Sequence, residues 1–354
     1  MQSNRFRRGL LGLAGVVAAA SLLAACGSDK SDGSASKDGT TTTAAGAKVD
    51  APDKITIAYQ AIPNGDLIVK QQKLLEKALP DTTIEWKLFD SGGSVNEAIS
   101  SGDVDLGLAG SSPVSRGLSN GIPYKVVWIH DVIGDAEALV VKSDIGSIKD
   151  LEGKTIATPF ASTSHYSLLA ALTDAGVDPT KVKIIDSEPD DIYSAWTAGD
   201  IDGAYVWNPN LAKIKADGGK VLISSADLAK KGATTYDLGV ASTAFADKYP
   251  AALDAWAKAQ DQAVELIQDD PDTAAEIIGA ELDITKDEAA AQIKDLIYVR
   301  AKDQAGPDYL GGALAQNLLK AAEFNKDVGE IEKVAPEATY VDGVDAAPAE
   351  AAAK

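Results

Sequence analysis

With 354 residues, 45% of them hydrophobic and 24% charged, the chain has material for one or two compact units with ample cores. Its formal net charge of −20 excludes nucleic acid as a partner, because phosphate binding needs clustered Lys and Arg; a small anion held by local donors stays compatible. The one cysteine, Cys26, and two well-separated histidines, His130 and His165, provide no disulfide and no metal-ligand set, so neither metal nor cofactor is expected.

In chain order, Arg5, Arg7 and Arg8 form a basic leader ahead of an apolar run from Leu10 to Ala25. The run is short for a bilayer span and rich in Ala, so residues 1–25 read as a signal peptide. It ends in Leu23-Ala24-Ala25-Cys26-Gly27, which resembles a bacterial lipobox. That predicts lipidation of Cys26 and an extracytoplasmic, membrane-anchored protein. Lipidation would also leave no thiol for a cysteine nucleophile. Arg7-Arg8 leaves the export route open between the general and twin-arginine systems. Residues 26–50, dominated by Ser, Gly, Thr, Ala, Lys and Asp, read as a flexible tether with an r.m.s. reach of about 25–30 Å.

Beyond the tether, strands are predicted at 55–59, 105–109, 138–141, 155–158, 183–185, 203–206 and 238–241, with amphipathic helices between most of them. Leu168, Leu169, Leu172 and Ala175 mark one such helix, stopped by Gly176. After about Thr243 the pattern turns helical. Leu253, Trp256, Ala263, Val264 and Ile267 share a face, Asp270-Pro271 reads as N-cap and N1, and Thr285 with Glu288 as a capping box. Ala346 to Lys354 reads as a disordered tail.

Strand–helix alternation implies mainly parallel sheets covered by helices, an α/β class. Gly102-Asp103-Val104-Asp105-Leu106-Gly107 is echoed by Gly199-Asp200-Ile201-Asp202-Gly203-Ala204, each between a helix and a strand. The echo reads either as a chance repeat of one helix–turn–strand unit or as two similar lobes, one per copy, with any ligand in the cleft beyond the strands' carboxyl ends. The expected organisation is a first lobe over 51–138, a second over 139–238, a mostly helical return to the first over 239–340, and a tail from 341 to 354.

The loops after strands hold the binding candidates. Ser112 reads as an N-cap and Pro113 as N1, next to Ser111; Ser162, Thr163 and Ser164 lead into a second helix. Helix N-termini present free N–H groups and a positive dipole end, so two such caps facing one cleft suit an anion; each alone is equally a plain cap. Glu137 and Asp237 lie beside apolar runs, where the second lobe's first and last strands are expected to begin and end. There they act as surface groups, or as partners for a ligand ammonium if they face the cleft. Gln60 and Trp207 stand at strand ends and wall the cleft or pack in the core; Tyr205 reads as core. His165 reads as a helix-end packing or hydrogen-bonding residue.

Ile57-Ala58-Tyr59-Gln60, Phe89-Asp90-Ser91-Gly92, Gly110-Ser111-Ser112-Pro113, Glu137-Ala138-Leu139-Val140-Val141-Lys142, Pro159-Phe160 with Ser162-Thr163, the run His165–Leu172, and Gly199–Trp207 together resemble the taurine-binding receptors of ABC importers. These sit within a wider group for aliphatic sulfonates, nitrate and thiamine-precursor pyrimidines. The resemblance runs from about Lys54 to Ala246; Tyr236, Asn208 and Ser164 depart from the pattern. It implies a type II periplasmic-binding-protein-like fold with two hinge crossings. It also implies that Gln60, Ser111, Ser112, Glu137, Ser162, Thr163, Trp207 and Asp237 lie near the ligand. The implied protein is a monomer that is not an enzyme, takes taurine or a related small sulfonate by hinge closure, and delivers it to a permease and its ATPase subunits. Other alkanesulfonates, small anions or pyrimidines stay open as solutes, and an enzyme using Ser162 and His165 as the different-class alternative.

Overall fold

The computed structural model describes residues 50–354. The expected signal peptide, the lipobox-like run around Cys26 and the expected tether up to Lys48-Val49 lie outside the described residues. Among the described residues no helix is long and apolar enough to cross a membrane.

The chain builds one sheet, crosses to a second, and returns. β1 (Lys54–Tyr59), β2 (Thr83–Leu88), β3 (Leu106–Gly110) and β4 (Tyr124–Ile133) come first. β5 (Glu137–Val141), β6 (Thr155–Thr158), β7 (Lys183–Asp186), β8 (Gly203–Trp207) and β9 (Lys220–Ser224) form the second sheet. β10 (Tyr236–Ser242) and β11 (Leu296–Ile297) rejoin the first. The orders are β11-β4-β10-β3-β1-β2 and β7-β6-β8-β5-β9. Each sheet has three adjacent parallel strands beside one antiparallel strand, β10 in the first lobe and β5 in the second. That is the expected two-lobed α/β arrangement.

The repeated Gly-Asp motif explains part of this likeness. Gly102 and Gly199 both end a helix in the left-handed region, with φ of 80° in each. A residue with a Cβ would be strained there. Three residues on, Asp105 accepts from the Thr56 N–H at 2.8 Å and Asp202 from the Thr155 N–H at 2.9 Å. The same turn thus ties β3 to β1 in the first lobe and β8 to β6 in the second.

Burial follows strand periodicity. In β5, Leu139 and Val141 pack on one face with Leu168, Leu172 and Tyr205, while Ala138 and Val140 pack on the other with Val206, Leu211 and Ile214. A strand buried on both faces reads as a continuous apolar run, which made β5 legible. The first lobe's core gathers Ile55, Ile57, Leu106, Trp128 and Trp256. Truncating one such Leu or Ile to Ala would cost about 2–5 kcal/mol. The caps at Asp270 and Thr285 form as expected: Asp270 accepts from the Thr273 N–H, and Thr285 and Glu288 make a reciprocal capping box.

Four differences from the sequence reading matter. β2, β4, β9 and β11 were not anticipated: β2 and β9 are only partly buried, and β4 carries His130-Asp131 inside its apolar run. The lobe boundaries expected at 138/139 and 238/239 fall inside β5 and β10; the chain crosses instead at residues 134–136 and 230–235. Asp237 is therefore the second residue of a first-lobe strand, not the end of the second lobe. The terminal residues are ordered rather than a disordered tail. Val344 bridges to Val126, and a helix over Ala347–Ala352 buries Pro348 and Ala349 in contact with the helix Pro250–Asp269. Ala and Pro gave no apolar stripe to read, but small side chains allow close packing.

Candidate functional site

The two crossings run side by side, with the Ile133 N–H donating to the Thr235 carbonyl at 3.0 Å. Above them a cavity of about 480 Å³, counting its open mouth, lies between the lobes. Gln60, Gly110, Pro113, Ile133, Asp237 and Leu296 line it from the first lobe, with Ala136 at the crossing; Glu137, Ser162, Thr163, Trp207 and Asn208 line it from the second. Six of the eight sequence candidates thus meet at one place. Ser111 and Ser112 are the exceptions. The Ser111 hydroxyl accepts from the Tyr236 N–H at 3.1 Å and Ser112 Oγ from Asn325 Nδ2 at 3.4 Å, so both oxygens are engaged within the first lobe. Their neighbours Gly110 and Pro113 face the cavity instead.

The helix there begins at Ser111, capped by Gly110; Ser112 is not its N-cap, and Pro113 is its third residue rather than its first. The opposing helix, Thr163–Asp174, has Ser162 as a true N-cap, accepting from the His165 N–H. Capping leaves the Thr163 and Ser164 N–H groups without an acceptor inside the helix, and the same holds for Ser111 and Ser112 in theirs. Two positive dipole ends from different lobes therefore meet at one cavity.

They meet closely. A Cβ on Gly110 would lie 2.5 Å from Thr163 Cγ2, so only glycine permits this approach. Elsewhere the lobes touch through Ser91 Oγ, which donates to Glu188 Oε1 at 3.2 Å. Behind the cleft, Arg116 pairs with Glu330 at 2.6 Å, and His165 Nδ1 lies 3.7 Å from the same carboxylate with its ring stacked on Phe160. Burial lowers the His165 pKa despite Glu330. Asn208, a departure from the family pattern, lines the cavity and donates from Nδ2 to Asp295 at 3.2 Å. Tyr205 is core, its hydroxyl 3.2 Å from Ser225 Oγ.

The charged groups at the cavity are acids. Glu137 is buried and accepts from Thr163 at 2.5 Å, Ser225 at 2.7 Å and Ser167 at 3.3 Å. Burial raises its pKa, and the hydroxyl donors partly offset this. Burial and then the Glu137 charge push Asp237 up to about 7. Among the described residues no Lys, Arg or His lines the cavity. Asp131, which the sequence reading missed, sits directly opposite Asp237 on β4 and is fully buried. Burial and the neighbouring Asp237 raise it well above the carboxylate range. The signal was present: an acid inside Val126–Ile133 has no reason to be there unless it meets a partner. Among the described residues no group of His, Cys, Asp and Glu is placed to hold a metal ion.

Two α/β lobes on paired crossings, closing on a largely apolar cavity with a few convergent polar groups at the ends of their strands, define a solute-binding protein of the two-lobed periplasmic class. A sequence profile described as NMT1/THI5 like matches residues 85–274. The chain is 35% identical over 291 residues to the taurine-binding periplasmic protein of Escherichia coli (strain K12), covering 79% of this chain and 88% of that one. Among solved structures, the periplasmic aliphatic sulphonate binding protein SsuA from Escherichia coli superposes with a TM-score of 0.67 at 22% identity, over 82% of this chain and 92% of that one. The periplasmic nitrate-binding protein NrtA from Synechocystis PCC 6803 does so with 0.70 at 13%, over 85% and 88%. The chain belongs to the NMT1/THI5-like family, and it is a binding protein rather than an enzyme.

Proposed function

We propose that this protein is the extracytoplasmic receptor of an ABC importer, anchored through a lipidated Cys26, and that it captures taurine in the cleft and presents it to the permease. The observation that carries the reading is the cavity's charge: two carboxyls, the buried Glu137 and the partly buried Asp237, line a space that no cationic side chain among the described residues lines. A carboxylate at a cleft with no counter-charge is costly even when hydroxyls donate to it, so the solute supplies the cation. The helix ends at Gly110 and Ser162 offer N–H donors to the other end of the same solute. A short zwitterion with an ammonium and an oxyanion meets both demands, and the 35% identical relative bears a taurine-binding name.

Binding requires no bond chemistry. The sulfonate docks on donors from both lobes, the ammonium meets Glu137 and Asp237, and closure follows because these contacts exist together only when the lobes approach. The test is calorimetric titration of the purified protein with taurine and then ethanesulfonate, which lacks the ammonium. Taurine binding 1:1, with ethanesulfonate at least about tenfold weaker, is expected. Equal affinities would sink the ammonium assignment, and no binding of either by folded protein would sink the sulfonate reading.

A further inference from the structure

Asp131 is fully buried, and neither of its carboxyl oxygens has a hydrogen-bond donor. It faces Asp237 across the antiparallel pair of β4 and β10. The pairing there is irregular: Asp237 opposes Asp131, but Leu238 opposes Ile129, so His130 is an extra residue on β4. Such a bulge re-aims the side chains beside it. His130 itself turns to Asp66, 3.8 Å away, and to the edge of Trp256. Around the acid pair stand Glu137 from β5 and the partly buried Tyr298, whose hydroxyl is committed to the Pro63 carbonyl at 2.7 Å. Two facing carboxylates, Asp131 fully buried and Asp237 partly so, would be acceptors without a donor, and among the described residues no cationic side chain acts on either.

A proton is the donor that completes this arrangement. We propose that Asp131 is a neutral carboxylic acid that donates a hydrogen bond to Asp237, and is thereby the positioning residue that aims the Asp237 carboxylate at the ammonium of the solute. This rests on the reading of the cleft as an aminosulfonate site. Asp131 itself does not line the cavity; it acts through Asp237. The division of labour parallels that at Glu137, which serine and threonine hydroxyls orient. A neutral acid can donate where a second charged group could not, so one of two adjacent acids stays protonated while the other ionises.

The test has two arms. In the ligand-free arm, infrared spectra of wild type and Asp131→Asn are compared at about pH 8, above the range in which Asp237 ionises. A protonated-carboxyl C=O band present in wild type and absent from the variant is expected; no difference between the two would overturn the proposal whatever the solute. In the second arm, Asp131→Asn, whose amide still donates, should keep taurine affinity within about threefold. Asp131→Leu, which cannot donate, should weaken taurine about tenfold while leaving ethanesulfonate unchanged. Equal taurine loss in both variants, or none in Asp131→Leu, would overturn the positioning role. Circular dichroism checks that each variant folds, and if Asp131→Leu does not, the Asp131→Asn comparisons still decide. Should wild type bind no taurine, the functional reading fails and the infrared arm decides Asp131 alone.

Discussion

The Thr163 hydroxyl donates to the Glu137 carboxylate at 2.5 Å. Thr163 opens the helix whose N-terminus meets the cavity, and Glu137 opens β5, so a cap and a strand end of the second lobe are locked together. The hydroxyl proton is committed to Glu137. What Thr163 has left for an anion is its backbone N–H, while its side chain orients the acid.

Thr163→Val keeps the shape and removes that donor. A hydrogen bond to a charged group contributes about 1.5–3 kcal/mol, so taurine should bind at least about tenfold more weakly. Ethanesulfonate should lose less, because its anion end uses the unchanged N–H. Calorimetry with both ligands checks this, and a larger loss for ethanesulfonate would reverse the assignment of the two ends.

The acids also set a pH dependence with a definite sign. Asp237 is held up to about 7 in the folded protein against an ordinary value of 3.8. The folded state then binds the proton more tightly than the unfolded one, so its contribution to stability is full below about pH 4 and is lost as pH rises to about 7. At about 1.4 kcal/mol per unit the loss from this group is at most about 4 kcal/mol. Thermal unfolding of ligand-free protein between about pH 5 and pH 8 should show stability falling, and Asp237→Asn should flatten the slope. Taurine, whose ammonium pairs best with an ionised Asp237, should stabilise more at the upper end of that range.

Gly110 tests closure separately from chemistry. Its missing Cβ makes room for Thr163 Cγ2, since an added carbon would sit only 2.5 Å from it, well inside contact distance. Gly110→Ala should hold the lobes apart and weaken every solute about tenfold or more, with little change in thermal stability of the ligand-free protein. Adding Thr163→Ser, which removes the methyl and keeps the hydroxyl, should recover most of the affinity. Non-recovery would mean that Gly110 acts through its own helix rather than through contact with the other lobe.

The last residues should matter for stability and not for binding. Removing 347–354 strips the buried Pro348 and Ala349 from the first lobe. A loss of about 1–3 kcal/mol in denaturant unfolding, with unchanged taurine affinity, is expected.

Local features were legible in the sequence because local chemistry decides them. The Gly-Asp turns at 102–107 and 199–204, the caps at Ser162, Asp270 and Thr285, and the two-sided strand β5 each depend on a few adjacent residues. Family likeness then gathered Gln60, Glu137, Thr163, Trp207 and Asp237 as neighbours. Which groups face the cavity was a different matter. Ser111 and Ser112 turn to Tyr236 and Asn325, partners far along the chain, so Gly110 and Pro113 take their place. Asp131 reached Asp237 only through strand pairing and a bulge at His130, and register belongs to two strands at once. The sequence by itself determined two α/β lobes and the kind of end each helix presents. Only the tertiary structure decided that acids from separate sheets share one buried space, because burial and mutual repulsion arise when distant segments pack together.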